Sequence, residues 1–179
     1  MNQIICQATI EDLSSIREIY AYYVENTNIS FDYDTPSIQE MELEMQTIQL
    51  RNLPYLIAKD SQTNQVTGFA YALPFSKRKS YDCTCTLSIY VDYKLQARGI
   101  GQQLYHALEQ QLTELGMVQL LSLVTSSNKS SLEFHYRNGF VQIGEFPNAG
   151  YKFDKWHSIC WLLKTINADK ITSKKTHSI

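Results

Sequence analysis

The chain has 179 residues, the length of one globular domain. Hydrophobic residues make up 44% of it and charged residues 19%, a composition that argues against a disordered chain. The net charge of −2 excludes a strong general attraction to nucleic acid or to an anionic membrane surface. We therefore expect a single domain with neither nucleic acid nor a membrane as its partner.

The charges are unevenly distributed along the chain. Residues 1–60 contain ten acidic and three basic residues, whereas residues 77–98 contain five basic and two acidic ones. A basic segment in a mildly acidic protein suits a small anionic ligand better than a polyanion. An ordinary solvated loop has the same composition, so this observation alone does not decide between them.

Cysteine usage and hydropathy indicate the compartment. The four cysteines lack the spacing of a zinc site or a disulfide framework, so we expect no metal. No stretch approaches the roughly 18 apolar residues of a membrane span, and the N-terminal residues do not resemble a signal peptide. The sequence predicts a cytoplasmic protein.

The first half of the chain predicts three strands and two helices. Residues 4–8 form the first strand, and Thr9 with Asp12 caps the helix that follows. Pro36 is expected to open the second helix. Two strands joined by a polar turn then cover residues 54–60 and 66–73.

The second half predicts four strands and two helices. Gly99 begins a helix whose apolar residues recur at spacings of three and four until Gly116 ends it. Ser130 and Glu133 form a capping box at the start of a short helix. The strands cover residues 81–91, 119–124, 140–146 and 156–163. The order β-α-α-β-β-β-α-β-α-β-β predicts a mixed sheet with helices on both faces.

The most informative segment is residues 89–101, where a strand leads through a loop into a helix that starts near Gly99 and Gly101. Free N–H groups at a helix start bind anions, and glycines let a pyrophosphate approach. Arg98 can add a charge-assisted contact. The third glycine of a dinucleotide-binding motif and the Lys-Ser/Thr of a P-loop are missing. The segment predicts a phosphate site, although helix starts without a ligand also contain glycines.

In its context, this loop resembles the pyrophosphate loop of GNAT-type N-acetyltransferases. The family pattern is Gln/Arg-x-x-Gly-x-Gly/Ala, and here it reads Gln96-Ala97-Arg98-Gly99-Ile100-Gly101. The residues that match the family's N-x-x-S-x-x-x-H-x-x-x-G-F/Y block are Asn128, Ser131, His135, Gly139 and Phe140.

Further features are similar to the phosphinothricin and methionine-sulfoximine acetyltransferase branch of that family. They are Tyr22–Thr27 with Phe31, Pro74-Phe75 with Arg78 and Tyr81-Asp82, and Gly150–Lys152 with Trp156-His157. The resemblance covers residues 4 to about 163. It implies an α/β (α+β) fold with a GNAT-type mixed, mostly antiparallel sheet of six or seven strands. The domain is expected to span residues 1–165, followed by a polar, flexible tail at 166–179.

The resemblance implies transfer of the acetyl group of acetyl-CoA to a primary amine of a small, amino-acid-like molecule in a ternary complex. It also implies a homodimer. The residues expected to hold acetyl-CoA are Ile89, Tyr90, Val91, Gln96, Ala97, Arg98, Gly99, Ile100, Gly101, Gln102 and Asn128. Strand-end amides can also stabilise a developing oxyanion. From the residues alone, 89–91 is an ordinary core strand and Asn128 a turn or cap residue.

The resemblance also implies roles in catalysis and acceptor binding. His135 is expected to protonate the departing thiolate or hold the thiol, with Tyr136 as its neighbouring candidate; an isolated helical histidine is otherwise structural. Phe31, Arg78 and Tyr81 are expected to line the acceptor pocket. Arg78 can hold a carboxylate or phosphinate bidentately, or be a solvated loop charge.

The chain departs from the branch at Thr86, where relatives carry the glutamate assigned as general base. A threonine hydroxyl can orient water but cannot act as a base near neutral pH. Either water suffices for an amine of modest pKa, or Asp82, His157 or Tyr81 replaces the glutamate, or the protein binds acetyl-CoA and catalyses weakly. A nucleotide-phosphate-binding protein is a third class, which the missing motifs disfavour.

Overall fold

The computed structural model describes residues 3–173. Within them, the strands are β1 (Gln3–Gln7), β2 (Tyr55–Asp60), β3 (Val66–Pro74), β4 (Thr84–Val91), β5 (Gln119–Thr125), β6 (Val141–Lys152) and β7 (Lys155–Thr165). The helices are α1 (Leu13–Asn26), α2 (Ile38–Leu50), α3 (Ile100–Glu114), α4 (Lys129–Arg137) and α5 (Asp169–Ser173). The sheet has seven strands in the order β1-β2-β3-β4-β5-β7-β6. It is mostly antiparallel, with β4 and β5 parallel, which confirms the predicted fold class.

The chain divides into two compact units. The first unit contains the residues up to Leu73 together with Ser88–Gln111, and the second contains Pro74–Leu87 and the residues from Leu112 onward. Strand β4 therefore contributes its first half to the second unit and its second half to the first.

In the first unit, α1 and α2 bury the predicted apolar faces, including Ile16 and Met45. The capping box of Thr9 and Asp12 is present, but it opens a 3₁₀ turn that precedes α1. The prediction that Pro36 opens α2 was wrong. Ser37 is the N-cap, because its hydroxyl accepts from the Glu40 N–H while the Glu40 carboxylate accepts from the Ser37 N–H and hydroxyl.

Six aromatic side chains of the first unit pack together, and we call them the aromatic cluster. They are Tyr20, Tyr23, Tyr55, Phe69, Tyr71 and Tyr90, with neighbouring ring centroids 5.0–6.4 Å apart. Burial raises the pKa of the Tyr90 hydroxyl well above its usual value, and that hydroxyl is hydrogen-bonded to Tyr20. The cluster packs Tyr90, from the end of β4, against the side chains of α1, β2 and β3.

In the second unit, β4 starts later than the sequence predicts. Residues Lys79–Tyr81 form a 3₁₀ turn, and the strand begins at Thr84. The predicted strand 81–91 was therefore wrong at its first residues. Asp82 precedes the strand, so it does not lie on the strand that carries Thr86.

One helix boundary in the second unit differs from expectation. Asn128, not Ser130, caps α4, because the Asn128 side chain accepts from the Ser131 N–H while the Ser130 hydroxyl donates to the same oxygen. The end of α3 is as predicted: its last residue is Glu114, and Gly116 follows with φ of +80° and an N–H that donates to the Thr113 carbonyl.

The closing hairpin is longer than predicted. Strands β6 and β7 pair almost to their tips and turn at Phe153 and Asp154, which both have positive φ. The residues between the two predicted strands, 147–155, are mostly strand, interrupted by a register shift between Phe146 and Gly150.

The residues after β7 begin as ordered structure. Ile166 is buried and its N–H donates to the Val118 carbonyl, while the Asn167 side chain donates to the carbonyls of Thr113 and Met117. The prediction of a flexible tail from residue 166 was therefore wrong at these two positions. Residues 174–179 lie outside the described residues.

Gly68 provides a test of how closely β3 approaches β4. A Cβ at this position would lie 2.9 Å from the Tyr90 carbonyl oxygen and 3.1 Å from the Leu104 side chain. We expect Gly68→Ala to lower the free energy of unfolding by about 1–3 kcal/mol, since a backbone atom cannot move aside cheaply. Chemical denaturation measures the change.

The matched control is Gly144→Ala, since a Cβ at that strand glycine meets nothing within 4 Å. A change within about 0.5 kcal/mol is expected there. Equal effects of the two substitutions would contradict the close approach.

Candidate functional site

The loop before α3 has the backbone conformation of an anion-binding helix start. Ala97 and Gly99 have φ of +60° and +80°, in the left-handed region that glycine adopts without strain. The hydrogen bond from the Gln103 N–H to the Gly99 carbonyl closes the first turn of α3. The N–H groups before Gln103 lie at the helix start, where helix geometry supplies no acceptor and the dipole favours a negative charge.

Gly101 lies in that first turn. A Cβ there would be in ordinary contact with Val91 Cγ2, at 3.6 Å, so the backbone position itself has room for a side chain. Arg98 is exposed in the same loop. The predicted loop residues, Gln96 to Gln102, are thus brought together at one helix start in the first unit.

Tyr23 of α1 connects this loop to the end of β4. Its hydroxyl donates to the carbonyl oxygen of Val91 and accepts from Gln96 Nε2 at 3.1 Å. Burial raises the pKa of this hydroxyl, although both hydrogen bonds lower it. The hydroxyl is therefore neutral and can donate and accept at once. The sequence analysis included Tyr23 only in the family-like segment Tyr22–Thr27 and missed this role.

The end of β4 carries Ile89, Tyr90 and Val91, the predicted main-chain contacts for acetyl-CoA. Among the described residues, β4 pairs with β5 only from Thr84 to Thr86, so these three residues lie beyond the paired stretch. The Val91 carbonyl already accepts from Tyr23. On its other edge β4 is hydrogen-bonded to β3, so these residues lie beyond the pairing on the β5 edge.

Asn128 and His135 lie on α4 in the second unit. Asn128 Oδ1 is engaged as the helix cap. His135 is 8% exposed and packs edge-on against Phe134 and Phe140. Its Nδ1 donates to the Ser131 carbonyl at 2.7 Å. Burial lowers the pKa of His135, and the bond to Ser131 offsets this in part. A neutral ring with its proton on Nδ1 presents Nε2 as a hydrogen-bond acceptor.

Tyr136 and Thr86 are the remaining catalytic candidates, both in the second unit. Tyr136 is exposed and its hydroxyl donates to Gln142 Oε1 at 3.0 Å. Thr86 is half-buried in β4. His157, an alternative for the missing glutamate, donates from Nε2 to the Lys152 carbonyl at 2.9 Å.

The predicted acceptor residues are divided between the units. Arg78 and Tyr81 belong to the second unit and flank the 3₁₀ turn, where both are exposed. The ring of Tyr81 packs edge-on against Phe75, with centroids 5.4 Å apart. Phe31 belongs to the first unit and is half-buried in the connection between α1 and α2.

The first unit also contains a cavity of about 210 Å³ that the sequence analysis missed. We call it the α2 cavity. Its lining residues are Tyr20, Asp32, Pro36, Glu40, Met41, Glu44, Tyr55, Phe69 and Tyr71. Glu44 lies three residues after Met41 and one before Met45, so its position beside the buried face of α2 was a signal available in the sequence.

Residues 3–173 contain neither a metal-binding cluster nor a membrane-spanning helix. No group of three or more His, Cys, Asp or Glu side chains is arranged to hold a metal ion. No helix in this range has both the length and the apolar character required to cross a membrane.

Comparison with known proteins gives consistent matches. The model of the acetyltransferase (GNAT) domain matches residues 5–161. The chain is 31% identical over 163 residues to a phosphinothricin N-acetyltransferase of Alcaligenes faecalis, covering 90% of this chain and 82% of that protein. It is 26% identical over 162 residues to an L-methionine sulfoximine/L-methionine sulfone acetyltransferase of Pseudomonas aeruginosa, covering 90% and 94%.

A solved structure has the same fold. The GNAT superfamily phosphinothricin acetyltransferase of Sinorhizobium meliloti, in complex with AcCoA, superposes with a TM-score of 0.88 at 31% identity. The match covers 93% of this chain and 89% of that one.

The two hydrogen bonds of Tyr23 predict a stability effect. Tyr23→Phe leaves the Val91 carbonyl and the Gln96 side chain without this partner, so we expect the free energy of unfolding to fall by about 1–3 kcal/mol. Amide hydrogen exchange at residues 92–99 should become faster, because the loop loses the hydrogen bond of Gln96 to α1.

The matched control is Tyr22→Phe. Tyr22 stacks on Tyr93 with ring centroids 3.8 Å apart, a contact that phenylalanine preserves. We expect near-wild-type stability and loop exchange. Faster exchange in Tyr22→Phe than in Tyr23→Phe would show that the hydroxyl of Tyr23 does not hold the loop.

Proposed function

Because the chain belongs to the GNAT acetyltransferase family, we propose that it transfers the acetyl group of acetyl-CoA directly to a primary amine of a small, amino-acid-like molecule in a ternary complex. The observation that carries the proposal is the α3 helix start. Left-handed Gly99 turns the chain, and the N–H groups of the first turn follow directly.

The loop fits a pyrophosphate in charge and in shape. N–H groups at a helix start and the helix dipole favour a dianion, and Arg98 adds a positive charge in the same loop. The residues proposed to hold acetyl-CoA are Ile89, Tyr90, Val91, Gln96, Ala97, Arg98, Gly99, Ile100, Gly101, Gln102 and Asn128. When bound, acetyl-CoA supplies the activated acetyl thioester.

The main chain of Ile89–Val91 is proposed to orient the pantetheine arm and acetyl carbonyl, with an N–H group stabilising the oxygen as negative charge develops. His135 is proposed to hold the thiol through Nε2. That role suits a neutral ring whose Nδ1 proton is engaged with Ser131. Tyr136 is the second candidate for donating a proton to the thiolate.

The acceptor class follows from the relatives. The A. faecalis protein is named for phosphinothricin and the P. aeruginosa protein for methionine sulfoximine and methionine sulfone. Phe31, Arg78 and Tyr81 are proposed to contact the acceptor, with the exposed Arg78 guanidinium binding its anionic group. A cytoplasmic location and a homodimer stay predictions from composition and from family resemblance.

The proton of the attacking ammonium needs an acceptor. Thr86 carries no carboxylate, and Asp82 lies outside the strand. We propose that the acceptor reacts as its free amine, and that a water molecule oriented by the Thr86 hydroxyl takes the proton that the nitrogen loses as the C–N bond forms and the C–S bond breaks. The alternative, a binding module with weak catalysis, also follows from Thr86.

Release of free CoA thiol across a panel of amino acids and polyamines tests the activity. We expect turnover by the wild type and loss of both acetyl-CoA binding and turnover in Gly101→Trp, because an indole in the first turn of α3 blocks backbone approach to the pyrophosphate. Gly144→Trp, on an exposed strand, is the control for the added bulk. Thermal stabilisation by acetyl-CoA measures binding without turnover.

Acetyl-CoA binding by the wild type with no turnover on any amine would favour the binding module. Unchanged acetyl-CoA affinity in folded Gly101→Trp would remove the loop from the site.

The pH dependence of kcat/KM tests the proposed role of Thr86. Without a carboxylate base, kcat/KM should rise with pH toward the pKa of the acceptor amine. In Thr86→Glu, the ascending limb should move to lower pH and kcat/KM near pH 7 should increase, since a general base contributes about 10²–10⁴-fold. Thr86→Gln, which has the same size but no basic group, is the control. A plateau near neutral pH in the wild type would indicate that another residue supplies the base.

A further inference from the structure

The α2 cavity lies in the unit that contains the proposed acetyl-CoA site, and its lining has one sign of charge. It contains three carboxylates, from Asp32, Glu40 and Glu44, and no Lys, Arg or His. Four aromatic rings complete most of the wall. Carboxylates together with aromatic faces favour a cationic ligand.

Two of the three carboxylates are already engaged. Asp32 accepts from the Tyr20 hydroxyl at 2.7 Å, and Glu40 accepts from Ser37 as part of the α2 capping box. Glu44 differs: it is half-buried, and no hydrogen bond or ion pair is found for its carboxylate within residues 3–173. Burial raises the pKa of Glu44, and the nearby negative charge of Asp32 raises it further by a smaller amount.

A second polar group of the cavity also has no partner. Tyr55 is 2% exposed, and no hydrogen bond is found for its hydroxyl among the described residues. A ligand that donates to Glu44 and Tyr55 would satisfy both.

The cavity lies beside the strand that is proposed to hold the acetyl group. Tyr71 lines the cavity, and its side chain is hydrogen-bonded to Ser88, the residue before Ile89. One tyrosine side chain therefore separates the cavity from this part of β4, farther than a hydrogen bond reaches. A group bound in the cavity is thus several bonds away from the amine that reacts.

We propose that the α2 cavity binds a positively charged group that the acceptor carries in addition to the amine that is acetylated, with Glu44 as its main partner. The inference rests on the proposed function and narrows its acceptor class to dibasic amino acids and diamines. The volume of about 210 Å³ exceeds the ~150 Å³ cavity that accommodates benzene, so it has room for an ammonium group and part of its alkyl chain.

L-Lysine and L-norleucine provide the test, because norleucine is lysine without its side-chain ammonium. Calorimetry on the CoA-saturated protein measures their affinities without turnover. We expect lysine to bind at least about tenfold more tightly than norleucine. Glu44→Gln should reduce this ratio to within about twofold by weakening lysine alone.

Glu42→Gln is the matched control, since it makes the same change on the same helix at a residue that does not line the cavity. Its lysine preference should equal that of the wild type. Glu44→Gln should be at least as stable as the wild type at pH 7, because a buried carboxylate with a raised pKa costs stability when it is ionised.

The pH dependence gives a second readout. Lysine affinity should fall as pH drops through the raised pKa of Glu44, whereas norleucine affinity should change less. The other titratable groups facing the cavity are Asp32, Glu40, Tyr20, Tyr55 and Tyr71. The tyrosines stay neutral over this range. If Glu44 causes the fall in lysine affinity, that fall should disappear in Glu44→Gln. Its persistence in that variant would assign it to Asp32 or Glu40 and contradict the role of Glu44.

Several results would overturn the proposal. In the wild type, these are norleucine binding as tightly as lysine or more tightly, and no binding of either lysine or 1,5-diaminopentane. In Glu44→Gln, they are an unchanged ratio of lysine to norleucine affinity, and equal weakening of both amino acids. Failure of the wild type to bind acetyl-CoA would instead contradict the proposed function. The two inferences can therefore fail separately.

Discussion

The candidate site depends on the hydroxyl of Tyr23, which bonds at once to the end of β4 and to the loop before α3. The connection between these two elements also contains a 3₁₀ turn at Tyr93–Leu95, and the Asp92 N–H donates to the Thr67 carbonyl. Because Tyr23 is buried in α1 and held by the aromatic cluster, its two hydrogen bonds place the strand end and the helix start relative to one helix. The proposed phosphate-binding N–H groups and the main chain of β4 can then act on one ligand.

The fold was largely predictable, because hydrophobic periodicity and motif resemblance carry most of its information. The element order and the buried faces of α1 and α2 follow from the spacing of apolar residues. The errors occur at boundaries. Ser37 and Asn128 cap the two helices whose starts were predicted at Pro36 and Ser130. Lys79–Tyr81 forms a turn, although the predicted strand began at residue 81. Side-chain hydrogen bonds decide such boundaries, and hydropathy does not report them.

The site was predictable where backbone conformation determines it and unpredictable where tertiary contacts do. Gly99 and the start of α3 lie where the motif indicated. By contrast, the hydrogen bonds of Tyr23 join residues separated by 68 and 73 positions. The position of Glu44 beside the buried face of α2 could be read from the sequence, but the cavity that it lines could not, because side chains from several elements form it. The sequence also gave no means of knowing that Nδ1 of His135 donates to a main-chain carbonyl, which favours the thiol-holding role over the acidic one.

We propose above that the first turn of α3 binds the pyrophosphate of acetyl-CoA through its main chain. Amide hydrogen exchange of the full chain, with and without acetyl-CoA, tests this binding mode. We expect the N–H groups of Ile100, Gly101 and Gln102 to become strongly protected on binding, and free adenosine not to protect them. Protection of other segments by acetyl-CoA, with these three amides unchanged, would contradict it.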